Sequence, residues 1–148
     1  MNHTEAVSLI EDALASAVAG DTERAADRLV TLGESSDNNF MYGACGALAE
    51  AGKYGLSLIY GDQMARPERG DMFILEEIKP GAFAEDPPKA FAARFLIAWC
   101  NGDRDTTLAL FDAALRSDQY VESVSALLAD VAGILRLGLD EQKKGGQR

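Results

Sequence analysis

The chain has 148 residues, 47% of them apolar and 26% charged, and 24 acids against 14 bases give a net charge of −10. That length suits one domain with a sizeable core, and the composition is too apolar for a disordered chain. The acid excess works against nucleic-acid binding, which draws its affinity from clustered Lys and Arg on phosphates.

Helical periodicity runs through both halves. Val7, Ile10, Leu14, Ala17 and Val18 follow the three-and-four spacing of one buried face, with Thr4 as the expected cap. Gly20-Asp21 stops that helix and starts a second, bearing Ala25, Ala26, Leu29 and Leu32 and ending at Gly33. Ser36-Asp37 opens a third, with Phe40, Ala44, Cys45 and Leu48, expected to stop near Gly52. Gly43 and Gly46 inside it each cost about 1 kcal/mol against Ala, so either a neighbour packs very close or the helix is imperfect.

Residues 53–85 form a connector that breaks the pattern. Its two apolar runs, Tyr54–Tyr60 and Met72–Ile78, admit two readings: a helix continued through Met64, which the helical context favours, or a short β-hairpin. Beyond it, Asp86-Pro87 starts a wide apolar helix with Phe91, Phe95, Leu96 and Trp99. Asn101-Gly102-Asp103 turns the chain into a helix with Leu108, Phe111 and Leu115. Ser117-Asp118 opens a last helix carrying Val121, Val124, Leu127, Leu128, Val131 and Ile134.

The expectation is an all-α protein of six or seven helices in two antiparallel three-helix units, 1–52 and 86–142, with a mobile tail over 143–148. Gly20-Asp21 recurs as Gly102-Asp103 and Ser36-Asp37 as Ser117-Asp118, which suggests an internal duplication; convergent capping chemistry explains the same signposts.

Reactive chemistry is thinly supplied. The one histidine, His3, sits where a terminus frays, and two cysteines, Cys45 and Cys100, are too few for a disulfide framework. Structural zinc and carboxylate–histidine di-metal sites cannot be written from these residues, and no Gly-rich phosphate loop occurs, so no metal and no cofactor is expected. Apolar runs are interrupted by Arg94, Asp130 and Arg136, short of a membrane span, and the opening residues lack a basic leader. A soluble cytoplasmic protein is the simplest reading.

Asp103-Arg104-Asp105 reads as helix capping rather than an acidic metal motif, and Trp99 with Cys100 as core. Tyr60, Arg66, Arg69, Glu76 and Glu77 are the candidate ligand-binding set, two guanidiniums being suited to a carboxylate or phosphate; a solvated loop tip paired with Asp62, Glu68 and Asp71 is the plainer account. Acid is concentrated at the front: residues 1–52 hold nine acids and two bases, residues 53–85 six and four, residues 86–148 nine and eight. These features point to an interaction or regulatory module with a basic protein partner, or else to a small-ligand binder or carboxylate-dependent enzyme with its pocket at the connector. The apolar run Met72, Phe73, Ile74 and Leu75 is the expected homodimer contact.

Overall fold

The computed structural model describes residues 2–75 and 80–146. Among them the protein is all-α: α1 (His3–Val18), α2 (Thr22–Ser35), α3 (Asn38–Tyr60), the single turn α4 (Ala82–Glu85), α5 (Pro87–Cys100), α6 (Arg104–Arg116) and α7 (Tyr120–Gly146). No strand occurs among the described residues, and Tyr54–Tyr60 completes α3, which excludes the hairpin reading for that run. Short 3-10 turns at Gly61–Gln63 and Pro67–Arg69 follow, and Met72–Leu75 is irregular chain.

Aspartates seat the helix starts as the sequence indicates. Asp21, Asp37, Asp86 and Asp103 accept the backbone N–H of Arg24, Phe40, Lys89 and Thr106. The first cap is Asn2 and not Thr4, because Asn2 keeps an extended backbone and its Oδ1 accepts the Glu5 N–H at 2.8 Å. The α1–α2 and α5–α6 turns are built alike. Gly20 (φ 86°) and Gly102 (φ 74°) supply the left-handed backbone, and the N–H groups of Asp21 and Asp103 return to Ser16 and Ala98. The packing around them differs: α5 lies along α7, whereas α1 barely meets α3.

Two expected helix ends fall inside helices. Gly33 lies within α2 and Gly52 within α3, since neither has the left-handed φ that makes a glycine stop a helix. The α3 glycines serve packing instead. α3 and α7 run side by side in parallel as the central pair. A methyl on Gly52 would meet Leu96 at 2.9 Å and Val131 at 3.2 Å, one on Gly55 would meet Ile134 at 2.9 Å, and one on Gly138 would lie 2.7 Å from the Gly55 carbonyl oxygen. Gly46 makes room for the Trp99 indole, which stacks on Phe95 and donates its Nε1–H to Glu50 at 2.8 Å. Gly43 faces open space.

The core gathered around this pair includes Leu32, Cys45, Leu48, Phe95, Leu127 and Val131, with Phe91, Phe111 and Tyr42 completing an aromatic cluster. Tyr42 and Thr107 hydroxyls hydrogen-bond at 2.7 Å within it.

The glycines therefore separate into two kinds with opposite responses to alanine. Gly43→Ala should stabilise the fold by about 1 kcal/mol through helix propensity alone. Gly138→Ala should destabilise it by about 1–3 kcal/mol, because the new methyl meets backbone that cannot rotate away. Urea unfolding of both variants against the parent checks the pair; equal effects would contradict the close approach of α3 and α7.

Candidate functional site

α2 is fastened to one neighbour. It packs chiefly on α1, where Asp12 receives Arg28 Nε at 2.6 Å and Arg24 Nη2 at 3.1 Å. Hydrogen bonds from Arg28 first, and Arg24 second, hold the Asp12 carboxyl below the ordinary aspartate range. Both α2 guanidiniums are thereby drawn to the α1 side.

Two parallel stripes then divide α2. Ala25, Leu29 and Leu32 are buried, while Ala26, Val30 and Gly33, one step round the helix, stay exposed. The second stripe faces α7 across an open groove. Its deeper end, about 390 Å³, lies between Leu29 and Val30 on one side and Val121 and Val124 on the other, with Met41 and Tyr120 among its walls. Val30 and Val121 are 49% and 61% exposed at its mouth. A shallower stretch of about 210 Å³ shares Ala26, Leu29 and Ser125 with it and continues past Ala17, Leu128 and Ala132 to Arg136. Val121 to Arg136 spans roughly 22 Å at 1.5 Å per helical residue.

At the deep end, Tyr120 sets its ring edge-on to Phe111 at 5.8 Å. Its hydroxyl is buried without a hydrogen-bond partner, and burial, aided by neighbouring Cys45, pushes it up to about 12. Burial likewise raises the Cys45 thiol to about 12 and that of Cys100 to about 11, so both are protonated and unreactive at neutral pH.

The groove edges are acidic. At 100° per residue, Glu23, Asp27 and Glu34 fall within about 40° of one another on α2, beside the Ala26–Val30–Gly33 stripe. Glu122 borders Val121 on α7. Asp27 is paired with Arg28 at 2.9 Å; Glu23, Glu34 and Glu122 make no ion pair among the described residues. Arg136 marks the far end.

The residues singled out from sequence lie elsewhere. Tyr60 ends α3 and is 55% exposed. Arg66 and Arg69 flank the Pro67 turn, which closes on itself: the Arg66 N–H donates to the Asp71 carboxylate at 3.1 Å and the Asp71 N–H to the Arg66 carbonyl at 3.2 Å. These three side chains line neither part of the groove, and Glu76 and Glu77 lie outside the described residues. Asn101, at the end of α5, clamps Phe73 from both sides, accepting its N–H at 2.7 Å and donating to its carbonyl at 3.0 Å. Phe73 packs on the core while Met72 and Ile74 remain 64% and 78% exposed. Sequence reading missed the groove; the available signal was the doubled apolar stripe of α2, wider than a single neighbour covers.

No group of three His, Cys, Asp or Glu suited to a metal ion occurs among the described residues, and no described helix is long and apolar enough to cross a membrane.

Because the folded-state pKa of Asp12 is depressed, its contribution to stability is present above the unfolded value near 3.9 and disappears as pH falls through the folded one. Asp12→Asn should therefore show its full deficit at pH 7 and a smaller one near pH 2, as read by urea unfolding across pH. An equal deficit at both pH values would remove the ion cluster as the fastening of α2. Compared with family models, with curated proteins and with solved structures, the chain matches none.

Proposed function

We propose that this chain is a cytoplasmic protein-interaction module that docks a basic partner in the groove between α2 and α7. The observation that carries the reading is an unfilled apolar channel edged by acid, between two helices that pack on shared neighbours rather than on each other. Apolar walls contribute affinity in proportion to the area they lose to water, roughly 25 cal/mol per Å² before association costs. The acid supplies selection and encounter rate. Two buried protonated thiols, and aspartates committed to helix caps, support a binding role over a catalytic one.

A photo-crosslinking side chain placed at Val30 or Val121 should label a partner in extracts of the source cell, whereas the same group at Leu108, 51% exposed on α6, should not. Equal labelling from all three positions, or none from the groove, contradicts the reading.

A second reading concerns self-association through Met72, Phe73, Ile74 and Leu75. Its support is Ile74, held outward beside an anchored Phe73, on a part of the chain that carries little of the net charge. Light scattering on eluted peaks should then find a dimer that Ile74→Asp converts to monomer; a monomeric parent at high concentration rules this contact out.

A further inference from the structure

Resting on the docking reading above, we infer that the occupant of the α2/α7 groove is an amphipathic basic helix of about four turns, with a large apolar side chain seated at the Val30–Val121 end. The first argument is backbone chemistry. Both walls are α-helices, and along the middle of the channel their main-chain groups are already paired within the helix. Only the last turn of α2 and the first turn of α7, at the deep end, leave such groups free, so most of the channel offers side chains and no row of free N–H or C=O groups. An extended segment laid there would desolvate its own peptide groups against Ala, Val and Leu with nothing to receive them. A helix brings its hydrogen bonds with it, and its apolar stripe is the complement of two facing apolar stripes.

Dimensions select the same occupant. The α7 wall runs for roughly 22 Å and the α2 wall, Thr22 to Glu34, for roughly 18 Å, the length of about twelve to fifteen helical residues. α2 is attached on its α1 side and leaves the α7 side open. Within the channel the space is uneven. The end at Val30 and Val121 encloses about 390 Å³, room for a Leu, Phe or Trp side chain, while the end lined by Ala17, Ala26 and Ala132 holds about 210 Å³ and suits small residues.

Charge fixes the sign of the flanks. Glu23 and Glu34 border one wall and Glu122 the other, while Arg24 and Arg28, which could have offset them, are bound to Asp12 on the opposite side of α2. A helix with Lys or Arg along its edges meets Glu23 and Glu34 on the α2 wall and Glu122 beside the deep end of the α7 wall, with Arg136 at the far end; an acidic helix of the same stripe meets repulsion along α2 and at the deep end. A second copy of the chain is disfavoured by the same sign, since residues 1–52 carry nine acids and two bases.

The test uses the full chain and four labelled probes: a Leu/Trp-striped helical peptide with Lys edges, the same stripe with Glu edges, a proline-interrupted peptide with the composition of the first, and a fatty acid. Anisotropy titrations are run with the parent, with Val121→Asp, and with the rim-inverted double variant Glu34→Lys, Glu122→Lys; circular dichroism confirms that each is folded. The inference expects binding of the Lys-edged helix alone, weakened about tenfold or more by Val121→Asp, which corresponds to at least 1.4 kcal/mol. It also expects preference to pass to the Glu-edged helix in the rim-inverted chain. Binding of the proline-interrupted peptide to the parent, abolished by Val121→Asp, overturns the helix assignment and leaves the docking reading standing, whereas binding of the Glu-edged peptide to the parent overturns both. Binding of the fatty acid alone, or of no probe with concentration-dependent dimerisation lost in Val121→Asp, overturns both. Lys-edged binding that ignores Val121→Asp and the rim inversion also overturns the inference, because it places the peptide outside the groove.

Discussion

The contact on which the molecule turns is the one between α3 and α7 at Gly55 and Gly138, where a methyl group would strike a carbonyl oxygen. Two helices this close share one core between them, so α7 is fixed along its length and offers its remaining sides to other elements. α5 takes one side and α1 another. α2, packed chiefly on α1, stops short of α7, and the groove is the space left over. The helix glycines that weaken α3 as an isolated helix thus define where everything else can stand.

Electrostatics then gives that space a character that packing alone would not. The α2 arginines are used on Asp12 and Asp27, so Glu23 and Glu34 are left without local counter-charge on the groove side. Ion pairs this exposed contribute little to stability one by one; their larger effect is directional, deciding which surface remains acidic. The same residues that tie α2 down therefore set the electrostatic potential along the groove.

The helical class and most helix starts could be read from the chain, because an aspartate before an apolar three-and-four pattern has one cheap conformation, and Asp21, Asp37, Asp86 and Asp103 adopt it. Helix ends were less legible. Glycine ends a helix when its backbone turns left-handed, as at Gly20 and Gly102, and permits close packing when it does not, as at Gly52; the two uses look identical in a single sequence. For Gly46 the choice between a close neighbour and an imperfect helix resolves to the Trp99 ring, which no local pattern names. The groove was hidden for a related reason. Ala26 reads as part of the one apolar face of α2 and Gly33 as its end, and only the tertiary arrangement reveals that Ala26, Val30 and Gly33 form a second stripe left exposed.

The way α2 is attached has a bearing on its mechanics. Held by a narrow apolar stripe and an exposed ion cluster, it is the wall that can swing at least cost, while α7 is locked against α3. The channel therefore has one stiff jaw and one compliant jaw. In the proposed docking role, a bulky occupant would be accommodated by α2 yielding before α7 does.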